Sequence, residues 1–262
     1  MKRIIHYLTV LVMTAVMFLP AVTAYARNYA KPQYSGRRWK LIAKDELKTD
    51  TDRLIYVRYR GGTVAKVQMW KKVEAEPAAE EKDPAKTDAD KSVVGNLTAG
   101  KAKKTVKYKW KKLLSTKGYV GRNGLDKVRQ GDVKTPTGKF HITMAFGIKP
   151  SPGTAGIGYT KLNRYHYWSG ERATYNTFVD VRTLGRSSVA GEHLITYVPF
   201  YNYALAMDYN KNCTYLKGSA IFVHCTKPGR PYTGGCVAVS ESKMRKIVRN
   251  TTEHTLIAIY PE

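Results

Sequence analysis

The stretch DRLIYVRYRGGTVAKVQMWKKV, residues 52–73, sets two β-branched and aromatic runs on either side of Gly61-Gly62. Such a pattern forms a hairpin, because glycine enters the positive-φ conformations of a tight turn without steric cost. A chain that opens on a hairpin must bury one face of it against more sheet. From TVKYKWKKLLSTKGYVG (105–121) onward the sequence supplies that sheet, as short strand-like segments separated by Gly, Pro and Asn. In YNYALAMDYN (201–210), alternation puts Tyr201, Tyr203, Leu205, Met207 and Tyr209 on one face, with Asn202, Ala204, Ala206, Asp208 and Asn210 on the other. LIAIY (256–260) reads as a further buried strand. Only SESKMRKIVRNT (240–251) is clearly helical, with Ser240 as N-cap and Met244, Ile247 and Val248 on one side. The expected fold is mainly β, with a few short helices.

Composition shifts divide the chain. Lys2 and Arg3 precede an apolar run, and Ala24-Tyr25-Ala26 offers small residues where a signal peptidase cuts. Residues 1–26 are therefore expected to be a signal peptide, with an uncleaved membrane anchor as the alternative. Residues 27–51, basic and rich in turn formers at their start, read as a tether; the hairpin at 52–73 reads as the first strands of the domain. Residues 74–105 pass from acidic to basic, and EAEPAAEEKDPAKTDADKS at 74–92 has no large apolar residue. Such a segment buries too little surface to offset the entropy of ordering, so a disordered insertion is expected, with a short charged helix as the alternative. Residues 106–262 form the remaining domain.

The formal charge is +25, from 45 Lys and Arg against 20 Asp and Glu. That field attracts polyanions. No nucleic-acid motif accompanies it, and the 19 tyrosines fall in strand-like segments rather than on a stacking platform. For an exported chain, in the cell wall or the periplasm, anionic wall polymers are the natural partners. Membrane contact is expected only if residues 1–26 stay uncleaved. Three cysteines are too few for a disulfide framework, and an odd number leaves at least one thiol free.

SAIFVHCTKPGRPYTGGCVAVS (219–240) carries the chemistry. Strand alternation sends His224 and Cys225 to opposite faces, so their side chains cannot serve one pocket. The loop TKPGRPYT then reverses the chain and returns Cys236 beside His224. An imidazole next to a thiol makes the thiolate nucleophile and later returns the proton to a leaving amine. Thr233-Gly234-Gly235 ahead of the cysteine permits successive N–H groups to point at one place, as an oxyanion hole requires. The chemistry indicated is acyl transfer at an amide.

HCTKPGRPYTGGCVAVS resembles the active-site stretch of the L,D-transpeptidase (YkuD-like) catalytic domain, a histidine, a loop, then Ser/Thr-His-Gly-Cys. GDVKTPTGKFHI (131–142) is similar to the family's Gly-Asp-x-x-Thr-Pro-x-Gly segment, and GEHLITYVPFYNYALAMDYN (191–210) to one branch of it. The resemblance implies a β-sandwich that needs no cofactor and acts on peptidoglycan stem peptides. Cys236 would attack the carbonyl of the third-residue diamino acid of a tetrapeptide, release D-alanine and hold the acyl group as a thioester. An amine would then resolve it into a crosslink. His224 would be the base, oriented by the backbone carbonyl of Cys225, with Gly235 and Cys236 amides as oxyanion donors. His193, Tyr203, Thr233 and Gly234 would line the substrate cleft. Two positions depart from the family: its motif histidine is Gly234 here, and its Arg or Asn two residues after the cysteine is Ala238.

Other readings are weaker. A carboxypeptidase or general cysteine peptidase shares the acyl-enzyme but transfers to water, and a wall-binding module needs no thiol. Cys213, His224, Cys225 and Cys236 match no zinc spacing, so no metal is expected. Cys213 and Cys225 could form a bridge. GDVKTPTG is not a phosphate loop, because such a loop needs Gly-x-x-x-x-Gly-Lys-Ser/Thr between a strand and a helix, whereas Lys134 stands before Pro136 in a strand-turn context. His141, His166 and His254 read as structural.

Overall fold

A computed structural model describes residues 37–75 and 106–262. The expected signal peptide, residues 27–36 of the expected tether and residues 76–105 of the expected insertion lie outside the described residues. In chain order the elements are α1 (Arg37–Glu46), β1 (Arg53–Tyr59), β2 (Val64–Glu74), β3 (Tyr108–Tyr119), β4 (Gly138–Gly147), β5 (Tyr159–Lys161), β6 (His166–Ser169) and β7 (Phe178–Asp180). They continue with β8 (Gly191–His193), β9 (Ala204–Met207), β10 (Phe222–Cys225), β11 (Val237–Val239), α2 (Glu241–Arg249) and β12 (Thr255–Pro261). Four single 3₁₀ turns interrupt the region between β6 and β9. The fold is mainly β.

Gly61 and Gly62 both have positive φ, and the hairpin they permit pairs Arg53–Tyr59 with Ala65–Lys71. The nine-stranded sheet runs β12-β1-β2-β3-β11-β10-β9-β4-β5, and β12 also pairs with β4. Eight strands therefore close into a ring, so the expected sandwich has joined edges and exposes few unpaired backbone groups. A second sheet, β7-β6-β8, is built from the interrupted region.

Alternation sorts the closed sheet into an inside and an outside. Ile55, Val57, Val67, Met69, Leu205, Val223, Val237, Ile257 and Ile259 meet α2 residues Met244, Ile247 and Val248 in the main core. On the other side of β9 and β10, Phe146, Leu194, Tyr201, Ala204, Ala206, Phe222 and Cys236 pack with Trp168 of β6. Cys236 thus lies between the closed sheet and the small one.

The tether reading fails over its second half. Residues 37–46 are helical, and Trp39, Ile42 and Ala43 repeat at the spacing of one helix face. Trp39 stacks on Trp70 at 4.7 Å, Ile42 packs with Leu54 and Tyr56, and Trp110 Nε1 donates to the Ala43 carbonyl at 2.8 Å. Burying such side chains stabilises by about 1.5–3 kcal/mol each, which outweighs the solvation of a basic segment.

Candidate active site

β10 and β11 run parallel, with Val223 opposite Val237 and His224 opposite Ala238. His224 and Cys236 consequently share the face that carries Phe222, while Cys225 faces the main core. Both site residues are 7% exposed. The small Ala238 lies beside His224.

His224 Nδ1 is 2.8 Å from the Cys225 carbonyl oxygen. With Nδ1–H donating there, Nε2 carries the lone pair that can take a proton. Burial pushes the imidazole down to about 4, opposed by the Cys225 carbonyl and reinforced by Arg230. The Arg230 guanidinium lies 5.3 Å from the Phe200 ring, which meets His224 edge-on at 5.8 Å.

Cys236 Sγ donates to the Ala220 carbonyl at 3.2 Å and accepts from the Phe222 N–H at 3.3 Å. Ala220 holds a φ of 56°, a conformation that costs any residue with a Cβ and turns its carbonyl toward the thiol. Among the described residues, no hydrogen bond joins His224 to Cys236. Burial drives the Cys236 thiol up to about 12, Glu192 adds to the rise, and the Phe222 amide and Lys127 oppose it. The resting pair is therefore neutral thiol and neutral imidazole, with the thiol directed at Ala220.

The upstream Gly-Asp-x-x-Thr-Pro segment holds Cys236 in place. Thr135 Oγ1 donates to the Cys236 carbonyl at 3.2 Å and accepts from Gly121 N–H at 2.8 Å. Asp132 accepts from Lys127 Nζ at 2.7 Å and from the amides of Val128, Arg129 and Lys134. These bonds outweigh burial and pull the carboxyl down to about 2. The clasp seats the Lys127 ammonium close to Gly235, and both of its side chains are almost wholly buried.

Several cleft assignments need correction. Tyr203 lies in the main core, and its carbonyl accepts from Cys225 Sγ at 3.5 Å, so its side chain is on the far side of the sheet from Cys236. His193 stacks on Tyr167 at 4.3 Å and bonds the Arg164 carbonyl through Nε2, on the face of the small sheet that turns away from Cys236. Thr233 is buried, and its hydroxyl donates to the Cys236 carbonyl at 2.7 Å, which makes it a brace of the loop. Gly235 is not a free oxyanion donor, because its N–H bonds Thr233 Oγ1 at 3.1 Å. Its φ of 145° and the Lys134 carbonyl 2.9 Å from where a Cβ would stand explain the glycine. Gly234 is exposed, with open space above its Cα. Among the described residues, the Cys236 N–H makes no hydrogen bond and remains available to an oxyanion.

The family model of the L,D-transpeptidase catalytic domain matches residues 93–259, well over half of the chain. The chain belongs to this family. No curated protein matches it. The L,D-transpeptidase match begins at residue 93, yet β1 and β2 lie before it and are needed to close the ring.

Two residues beside Cys236 escaped the sequence reading. Tyr201, expected to share a face with Tyr203, sits in the 3₁₀ turn Phe200–Asn202, which breaks the alternation and returns its ring to the Cys236 side. Its ring meets His224 at 5.7 Å and its hydroxyl donates to Glu192 at 2.5 Å. Glu192 lies opposite Trp168 in the β6–β8 pairing, on the face that looks toward Cys236. The available signal was the dyad alternation of Gly191–His193, which needed only the other choice of face.

Cys213, Cys225 and Cys236 are all free thiols, so the Cys213–Cys225 bridge is not formed. Among the described residues, no three His, Cys, Asp or Glu side chains are gathered as metal ligands. His141 and His254 contact Asp208 and Asp50, and His166 is buried near Asp180. Among the described residues, no helix is long and apolar enough to cross a membrane.

Proposed function

We propose that this L,D-transpeptidase is exported and uses Cys236 to form a thioester with a tetrapeptide stem of peptidoglycan, releasing D-alanine. The observation that carries the reading is the His224 ring, pinned through Nδ1 by the Cys225 carbonyl at 2.8 Å on the face that also presents Cys236. The Cys236 thiol leaves the Ala220 carbonyl and gives its proton to His224 Nε2 as sulfur attacks the donor carbonyl. The oxyanion meets the Cys236 N–H, with the Lys127 ammonium nearby. Collapse breaks the C–N bond, and the imidazolium protonates the departing amine of D-alanine. The acceptor amine then attacks the thioester, loses a proton to His224 and restores the thiol. Water in place of the amine gives trimming.

Export is supported by the Lys2-Arg3 start, the apolar run and Ala24-Tyr25-Ala26. The +25 charge suits anionic wall polymers around the substrate.

The deciding experiment is intact-protein mass spectrometry after mixing with tetrapeptide muropeptides, run beside Cys236→Ala. The expected adduct equals protein plus donor minus one free alanine and is absent from the variant. A folded, reduced sample giving neither adduct nor D-alanine would overturn the reading.

A further inference from the structure

Glu192 is half-buried on the small sheet, and among the described residues the one hydrogen bond of its carboxyl is the 2.5 Å bond from Tyr201 Oη. Among the described residues, no Lys, Arg or His makes an ion pair with it. Tyr201 joins it to the site, since that ring also meets His224 at 5.7 Å and Phe222 at 5.5 Å, and the Phe222 amide bonds Cys236 Sγ. Trp168, opposite Glu192 in the strand register, packs edge-on against the same Phe222 at 4.7 Å. A carboxylate without a counter-ion beside a nucleophile that must become negative works against the reaction. That placement makes chemical sense if a positive charge arrives with the substrate.

We infer that Glu192 receives an ammonium group of a diamino-acid substrate, and that this pairing is what lets Cys236 give up its proton to His224. The inference rests on Cys236 being the nucleophile. Before the ammonium arrives, the charge of Glu192 disfavours a thiolate; once paired, that opposition is cancelled, so the nucleophile is released by the group that identifies the substrate. Burial holds the Glu192 carboxyl up at about 7, with the Tyr201 hydroxyl opposing the rise, so near neutral pH a large part of it is already ionised and uncompensated, and a cation that pairs with it removes that excess negative charge. The titratable groups around it are Tyr197, Tyr201 and Cys236; Lys127 faces Cys236 from its other side, and Arg230 faces His224. Tyr201 is a positioning residue, holding the carboxyl where the ammonium must come. The ammonium belongs either to the donor's diamino acid or to the incoming acceptor.

The test reads alkylation of the Cys236 peptide by iodoacetamide across pH, in the full chain, without turnover. Glu192→Gln keeps the shape and is expected to move the pH midpoint down, raising alkylation at neutral pH about tenfold for each pH unit moved. At neutral pH, where its side chain is an ammonium, Nα-acetyl-lysine amide should raise alkylation in the wild type and not in Glu192→Gln, while Nα-acetyl-norleucine amide should do nothing. Tyr201→Phe, which withdraws the bond favouring the charged carboxylate, leaves more of Glu192 neutral near pH 7 and should likewise raise alkylation at neutral pH, which serves if Glu192→Gln does not fold. Unchanged alkylation at neutral pH in the folded variants, or equal effects of the two probes, overturns the inference. The source of the charge is read from the burst of D-alanine without acceptor. A burst that needs a free distal amine on the donor in the wild type, and not in Glu192→Gln, assigns the donor. A burst indifferent to that amine, with transfer to amines lost in Glu192→Gln, assigns the acceptor. Donor turnover with an unmoved midpoint defeats this inference alone, whereas a shifted midpoint with no thioester defeats the proposed reaction alone.

Discussion

The Thr135 hydroxyl bridges two backbones, donating to the Cys236 carbonyl at 3.2 Å while accepting from the Gly121 amide at 2.8 Å, across 101 residues of sequence. Thr135 is fully buried, so neither bond can be replaced by solvent. Thr135→Val keeps the shape and leaves the Gly121 N–H unsatisfied, at a cost of about 1–3 kcal/mol. Urea unfolding should show that loss, and kcat should fall further than KM rises, because the variant loosens the nucleophile. Unchanged stability would remove the brace from the account.

Gly234 and Gly235 should respond in opposite ways to alanine. Gly234→Ala meets open space, and activity and Tm should stay close to wild type. Gly235→Ala must hold a φ of 145° with its Cβ 2.9 Å from the Lys134 carbonyl. Strain of about 1–3 kcal/mol for the backbone, plus the clash, should lower Tm and abolish turnover. Equal tolerance at both sites would contradict the loop geometry.

The free enzyme should show no thiolate at neutral pH. With burial and Glu192 holding Cys236 up at about 12, the thiolate absorbance that distinguishes wild type from Cys236→Ala should emerge only in strongly alkaline solution. A clear difference at neutral pH would mean a resting thiolate–imidazolium pair.

His224 makes stability fall on acidification. Its pKa is about 4 in the folded state against the ordinary 6.5, so between these values the unfolded chain binds the extra proton. The contribution is present above 6.5 and is lost as pH drops toward 4, amounting to about 2 kcal/mol by pH 5. Unfolding curves at pH 7 and pH 5 should lie further apart for wild type than for His224→Gln. An equal fall in both would place the acid sensitivity elsewhere.

The sequence alone determined the β class, the Gly61-Gly62 hairpin, α2, and the division that sends Cys225 inward and His224 outward. All are written in periods of two or 3.6 residues, which act locally. Tertiary structure decided the rest. Whether Glu192 or His193 faces Cys236 depends on which side of a three-residue strand meets the closed sheet, and nothing within that strand encodes it. Tyr201 parts from Tyr203 because one 3₁₀ turn shifts the alternation just before β9. Lys127 and Thr135 reach Cys236 only when the ring of strands brings residues 120–135 against Thr233, a contact no local pattern records. Trp39 and Ile42 find partners only once β1, β2 and β3 lie side by side. A side chain's direction is set by local backbone geometry; its neighbour is set by packing over long sequence separations.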